Sequence, residues 1–235
     1  MKNKKKKEIA RAYVVVGYKS WNKDIFKTKI SKYPGKWHLF SKPEQFTFKN
    51  LKKINPKFIF FLHWSWLVPE KIINEYGCIC FHMTDVPYGR GGSPLQNLIL
   101  RGHLKTKLTA LKMTKDFDAG PVYLKKDLSL SGRAEEIYKR ASDLSADMVF
   151  KIINKNIVPL PQKGKVVVFK RRKPKESEIF ECKNVQKLYD FIRMLDAEGY
   201  PKAFIKYKGL IFEFSRPVLH HDSILSDVRI VKNKK

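Results

Sequence analysis

Between its two ends the chain alternates short apolar runs with mixed, periodic segments, and that rhythm predicts an α/β fold. Ala12 to Gly17 (AYVVVG) is an unbroken, largely β-branched run closed by glycine, as expected of a first strand buried on both faces of a parallel sheet. Tyr18 to Ile30 is mixed and fits a helix, while Trp37 to Phe40 fits a short second strand. Phe58 to Leu62 (FIFFL) is another buried strand, Pro69 opens a short helix to Tyr76, and Cys78 to His82 is a strand again. Pro94 then opens a helix to Arg101, and Lys107 to Met113 and Pro121 to Lys126 read as two more strands. From Arg133 to Asn154, Ile137, Ala141, Leu144, Met148 and Ile152 recur at helical spacing over several turns. Pro159 and Pro161 end that pattern in a connection running to Gly164. Beyond it, Val166 to Phe169 and Gly209 to Phe214 read as strands around a helix from Val185 to Leu195.

These elements predict a mostly parallel sheet with helices on both faces, plus a small C-terminal α+β subdomain. The segments are a basic tail at 1–11, a main domain at 12–164, the α+β region at 165–230 and a second basic tail at 231–235. A region of about 70 residues is small for independent stability, so it is expected to pack on the first domain.

Composition changes the picture in three ways. A hydrophobic content of 43% fits a globular core. The 49 Lys+Arg against 22 Asp+Glu give a net charge of +27, a field that draws polyanions or phosphorylated substrates without choosing between them. Much of that charge is solvated surface, and no zinc-finger spacing, recognition helix or interleaving of aromatic and basic residues marks a nucleic-acid module. No apolar run approaches the roughly 18–20 residues of a membrane span, and Met1 and its following lysines lead into Glu8 and Arg11 rather than an apolar signal core. The expectation is a soluble, cytoplasmic protein with no membrane partner. Cys78, Cys80 and Cys182 are too few for a disulfide framework and are expected to be reduced. The turn at Gly17 lacks a G-x-G-x-x-G fingerprint, which disfavours a nicotinamide enzyme.

Candidate chemistry concentrates between Cys78 and Gly120. His82 stands at the C-terminal end of a predicted parallel strand, where open α/β sheets place their ligand crevices. The run Tyr88, Gly89, Arg90, Gly91, Gly92, Ser93 offers backbone amides and a guanidinium ahead of the helix opened by Pro94, an arrangement suited to an anion. Alternation puts Cys78, Cys80 and His82 on one strand face. A metal site is not expected, because no second ligand pair stands at structural spacing. A cysteine nucleophile with His82 as its base is a second reading, opposed by burial of the thiols. Asp118, in the loop before Pro121, fits the orienting partner of a histidine acid–base.

The ordered set His82, Pro87, Arg90, Gly91, Ser93, Pro94, Gly102, Thr109, Asp118 and Gly120 resembles the core signature of the formyltransferase family that uses formyltetrahydrofolate. That family includes methionyl-tRNA, glycinamide ribonucleotide and sugar N-formyltransferases. The resemblance covers about Phe58 to Leu130, with HWSWLVPEKI and YGCICFH similar to the family's loop, helix and catalytic strand. It implies a Rossmann-like domain, 10-formyltetrahydrofolate as co-substrate, no metal, and a catalytic trio of Asn, His and Asp. His82 and Asp118 match the last two, and Cys80 stands where the family has Asn. The implied reading is that protonated His82 or a bound water supplies the oxyanion donor in its place. The pterin is expected against Trp64, Trp66, Leu67 and Val68 on one loop and Thr114 and Asp116 on another, with Tyr88, Arg90, Gly91 and Ser93 toward the acceptor.

FKRRKPKESEI and the segment from Leu188 to Phe214 resemble the short C-terminal region of sugar N-formyltransferases. The expected acceptor is therefore a nucleotide-linked amino sugar, a UDP- or dTDP-4-amino-4,6-dideoxy hexose on a route to a surface glycan or a pseudaminic-acid-type sugar. Arg90 or the basic run Lys170 to Lys173 would hold its pyrophosphate. Methionyl-tRNA formylation is the alternative within the family, and a non-catalytic RNA-binding relative is the alternative outside enzymes. Nucleic acid is a partner only under those two readings, and a homodimer is compatible with all three.

Overall fold

The structure is a computed structural model that describes residues 11–233. Its strands and helices follow the order β1 (Ala12–Val16), α1 (Ser20–Thr28), β2 (Lys36–Phe40), α2 (Phe48–Ile54), β3 (Phe58–Phe61), α3 (Glu70–Glu75), β4 (Gly77–His82), β5 (Tyr88–Gly91), α4 (Pro94–Leu100), β6 (Lys105–Lys112), β7 (Val122–Ser129), α5 (Ala134–Asn154), β8 (Val167–Phe169), α6 (Val185–Arg193), β9 (Ala203–Tyr207), β10 (Leu210–Leu219) and β11 (Ile224–Lys232). A six-stranded sheet runs β2-β1-β3-β4-β6-β7. Its first four strands are parallel, whereas β6 pairs antiparallel with both β4 and β7.

The continuous apolar runs of β1 and β3 lie at the centre because each must be covered on both faces. Val15, Phe60 and Ile79 point to one side, toward α5 and α1, and join a core that includes Ile137, Met148 and Trp21. Val14, Ile59, Phe61 and Cys78 point to the other side and pack with Leu51 of α2 and Ile72 of α3. Helix α5 spans 21 residues, as its periodicity predicts. Its start is fixed by Glu136, whose carboxylate accepts the Arg133 N–H at 2.8 Å.

The C-terminal region packs on this unit, as its size requires. Its antiparallel sheet β11-β10-β9 is joined to the main domain through α6. There the buried Arg193 guanidinium donates to Leu130 O (2.7 Å) and Gly132 O (2.8 Å) and pairs with Asp190. Gln96 of α4 donates to Met194 O at 3.0 Å. The structure shifts two expected boundaries. Strand β8 pairs with β5 and so belongs with the first unit. Strand β11 runs to Lys232, drawing the start of the predicted basic tail into the sheet, while residues 1–10 of the N-terminal tail lie outside the described residues. Among the described residues no helix is long and apolar enough to cross a membrane.

Candidate active site

His82 ends β4 and is buried, at 8% exposure. Its Nε2 lies 2.8 Å from Gly89 O, a carbonyl that can only accept, so this nitrogen carries a hydrogen. Its Nδ1 lies 3.4 Å from Asp118 Oδ1. Both ring nitrogens therefore face acceptor oxygens.

Strand direction explains why Asp118 needs a special loop. Because β6 runs against β4, its end at Lys112 lies beside Ile79 rather than beside His82. At about 3.3 Å per residue, the β6–β7 turn departs roughly 10 Å short of the histidine and has to fold back over the sheet to reach it. Asp118 sits in that return with φ 52°, in the left-handed region that Asp tolerates better than most residues. Its other oxygen, Oδ2, accepts the Gly91 N–H at 2.9 Å. Gly91 itself has φ 98°, and a Cβ there would lie 2.6 Å from Phe169 O, so the β5–β8 pairing beside the aspartate requires glycine.

A residue that sequence reasoning missed holds the return loop. Gln162, in the Pro-flanked connection after α5, donates through Nε2 to Asp118 O (2.7 Å) and Gly120 O (2.8 Å). Its Oε1 accepts from Arg90 Nε (3.1 Å) and Nη2 (2.8 Å). No local pattern distinguishes such a glutamine, because all its partners are distant in sequence.

At residues 88–93, where an anion site is expected, several polar groups are engaged within the protein. The Arg90 guanidinium is turned onto Gln162, the Gly91 amide serves Asp118, and the Gly92 amide donates to Phe169 O at 3.1 Å. Ser93 Oγ accepts from Arg172 N (3.1 Å), and Tyr88 Oη pairs with His103 Nε2 (3.0 Å). The run holds Asp118 through the Gly91 amide and ties Arg90 and Gly92 to their neighbours.

Cys80 shares the strand face of His82. Burial, and secondarily the charge of Asp118, push its thiol well above the usual range, and burial pushes Cys78 up to about 12. A thiol raised in this way is a poor nucleophile, which weighs against the cysteine-nucleophile reading although Cys80 is only half-buried.

The two loops expected to meet a pterin flank this centre. Trp64 packs against Trp66 (4.5 Å between centroids) and Phe46 (5.9 Å), and its Nε1 is buried with no acceptor among the described residues. Trp66 also meets Tyr18 edge-on at 4.8 Å. Leu67 and Phe117 are 77% and 74% exposed, giving each loop an apolar tip. Val68 is buried in the core on the α2 and α3 side and offers a ligand only its main chain. Thr114 Oγ1 donates to Asp116 O at 3.1 Å, which shapes the second loop.

Comparison with solved structures decides the family. A methionyl-tRNA formyltransferase from Clostridium thermocellum is 45% identical, covers 94% of this chain, is itself covered to 99%, and superposes with a TM-score of 0.89. The chain belongs to the formyltransferase family. A family model of the methionyl-tRNA formyltransferase C-terminal domain matches residues 174–231, the stretch that carries α6 and β9–β11. A methionyl-tRNA formyltransferase of Rickettsia massiliae is 29% identical over 170 residues, 69% of this chain and 56% of the relative. The chain thus spans a little over half the length of the curated relatives it matches. A 4-N formyltransferase from Francisella tularensis covers 96% of this chain with a TM-score of 0.66 at 17% identity, which shows a shared fold.

These findings overturn the nucleotide-linked amino sugar as acceptor and partner, and with it the role in glycan biosynthesis. The sugar reading rested on a resemblance of the short C-terminal region to that of sugar N-formyltransferases, with Arg90 or the run Lys170 to Lys173 as the pyrophosphate ligand. Yet that short region is what the methionyl-tRNA formyltransferase model matches, and Arg90 is committed to Gln162.

Proposed function

We propose that this protein transfers a formyl group from 10-formyltetrahydrofolate to the amino group of methionyl-tRNA. The 45% identity to a methionyl-tRNA formyltransferase along nearly its whole length carries the reading, and the His82–Asp118 pair supplies its chemistry. The co-substrate is expected between the 64–68 and 114–118 loops, which offer apolar tips at Leu67 and Phe117 and an unused buried donor at Trp64 Nε1.

When bound, 10-formyltetrahydrofolate supplies the electrophilic formyl carbon. The α-amine must be neutral to attack; as its bond to the formyl carbon forms and the carbon–N10 bond breaks, the proton it gives up would pass, by way of the Asp118 carboxylate beside His82, to the departing tetrahydrofolate nitrogen. His82 Nε2 stays tied to Gly89 O, so Nδ1 is the atom at which a proton is held or moved. The 3.4 Å separation from Asp118 is longer than a charge-assisted hydrogen bond of about 2.7–2.9 Å, leaving Nδ1–H able to turn toward negative charge developing on the formyl oxygen. In this reading Cys80 contributes only a weak donor.

The test is formyl transfer to charged initiator tRNA by wild type, His82→Ala and Asp118→Asn. Turnover lost in both variants supports the assignment. No turnover by wild-type protein that still binds tRNA would instead leave a non-catalytic RNA-binding relative.

A further inference from the structure

The loop expected to meet the co-substrate is tied to the C-terminal region at its root. Leu62 still belongs to the sheet, its N–H donating to Val16 O at 2.8 Å, and the chain turns away at His63, with φ 53°. A residue other than glycine keeps that left-handed conformation only where its surroundings hold it. Here they hold the imidazole. Its Nε2 lies 2.8 Å from the hydroxyl oxygen of Tyr200, and its ring meets Tyr138 edge-on at 4.6 Å and Trp21 at 5.7 Å. The next residue is Trp64, whose Nε1 has no acceptor among the described residues. One backbone turn therefore sets the direction in which the 64–68 loop leaves β3, and the side chain at that turn is bonded to Tyr200.

Tyr200 lies in the segment after α6, which is anchored on the main domain by other contacts. Its ring stacks on Tyr138 of α5 at 5.3 Å with 20° between the planes, and Tyr138 Oη accepts from Gln96 Nε2 at 3.2 Å. Two residues earlier, the Glu198 carboxylate accepts the Ser20 N–H at 3.1 Å, and Glu198 O accepts from the Lys19 ammonium at 2.7 Å. That ammonium lies over the Tyr200 ring at 5.4 Å and the Tyr18 ring at 4.9 Å, and Tyr18 meets Trp66 edge-on at 4.8 Å. The close approach needs glycine between the two: Gly199 has φ 70°, and a Cβ there would lie 2.4 Å from Lys19 Nζ. The segment thus reaches the loop by two routes, directly at His63 and through Lys19 and Tyr18 at Trp66.

We propose that His63 and Tyr200 are a positioning pair through which the C-terminal region sets the conformation of the 64–68 loop, and with it the affinity for 10-formyltetrahydrofolate. The inference rests on the reading that this loop meets the co-substrate, and adds to it the contact that keeps the loop in its binding shape. The pair acts on folate binding rather than on the His82–Asp118 chemistry, so its loss raises KM for the folate and leaves kcat largely intact.

The experiment measures tetrahydrofolate binding to the full chain by calorimetry, with steady-state formyl transfer in parallel. Tyr200→Phe keeps the stack on Tyr138 and removes only the hydroxyl. It is expected to weaken tetrahydrofolate binding about 5- to 10-fold, and to raise KM for 10-formyltetrahydrofolate in proportion, with kcat and KM for methionyl-tRNA within about two-fold of wild type. His63→Leu should cost a similar factor, and the double variant no more than either, because both side chains act through one contact. His63→Gln, which can present an amide near the position of Nε2, should recover part of the loss. Tyr207→Phe removes a hydroxyl from an exposed position on β9 and should match wild type. Leu67→Ala, which trims the loop's apolar tip, should weaken tetrahydrofolate by itself.

Tetrahydrofolate bound equally by Tyr200→Phe and Tyr207→Phe, beside a weakened Leu67→Ala, would overturn the positioning pair and leave the loop reading standing. Leu67→Ala without effect would remove the loop reading, and the inference with it. Losses that add in the double variant, or a KM for methionyl-tRNA raised as much as that for the folate, would mark a general structural role and also overturn the proposal.

Discussion

Replacing Cys80 with asparagine tests the least conventional feature of the site. The family's Asn supplies a donor to the developing oxyanion, and losing such a donor costs about 2.7–4 kcal/mol, or roughly 10²–10³ in kcat. Cys80 lies on the His82 face of β4, between Phe61 of β3 and Leu111 of β6. A thiol is a weak donor, so Cys80 recovers only a small part of that interaction. The Nδ1–H of His82 covers another part. The expected gain for Cys80→Asn is therefore about 100-fold in kcat, within an upper bound near 10³, with KM for both substrates little changed because the bond is made only in the transition state. A single-turnover assay with enzyme in excess reads the chemical step directly, and a thermal melt establishes that the variant is folded. A folded Cys80→Asn protein with unchanged or lower kcat would refute the reasoning. It would mean that His82 alone meets the oxyanion, or that the amide is drawn away to Asp118.

Three further outcomes follow from the geometry. Gln162→Leu removes the donor to Asp118 O and Gly120 O and the acceptor of Arg90, so it should lower stability by about 2–3 kcal/mol and kcat by about 10–100-fold, read by urea unfolding and steady-state kinetics. Gly91→Ala forces a Cβ toward Phe169 O at a positive φ, with an expected cost of about 2–3 kcal/mol in urea unfolding and loss of activity as the Asp118 contact shifts. His63 is lowered to about 4, first by burial and then by the charge of Lys19. The unfolded chain therefore takes up this proton first. Stability is full above about pH 6.5 and is lost as pH falls toward 4, by at most about 3 kcal/mol, and His63→Asn should flatten that part of the urea-derived stability profile.

What the sequence disclosed and what it concealed divide along physical lines. AYVVV and FIFF announce central strands because both faces are covered, and α5 announces itself through one long apolar stripe. Helix α2 escaped notice although Thr47 caps it and Phe48, Leu51 and Ile54 keep helical spacing, because seven residues with three lysines dilute the signal. Strands β9 and β11 were missed because exposed Tyr207, Leu225, Val228 and Ile230 give the small sheet no clean inside and outside. Strand β5, read as an anion-binding loop, has the sequence YGRG and forms only by pairing with β8. His82 and Asp118 could be named from the residues, but the reversal of β6, which makes Asp118 travel back over the sheet, is a pairing choice with no local mark. The engagement of Arg90 is likewise invisible until Gln162 is brought to it across 72 positions of sequence.

That return loop makes the order of synthesis matter. A chain released at Asn154 would already contain all six strands of the main sheet and both proposed acid–base residues. Its Asp118 would still lack Gln162 on the main chain. The adjoining Gly91 would also lack the β8 partner that holds it in line. The nascent protein can thus form its six-stranded sheet before its proposed centre is complete, and the segment that follows α5 acts as the latch that assembles it. Splitting the molecule after α5 should give two pieces that are inert apart and recover catalysis on reassociation.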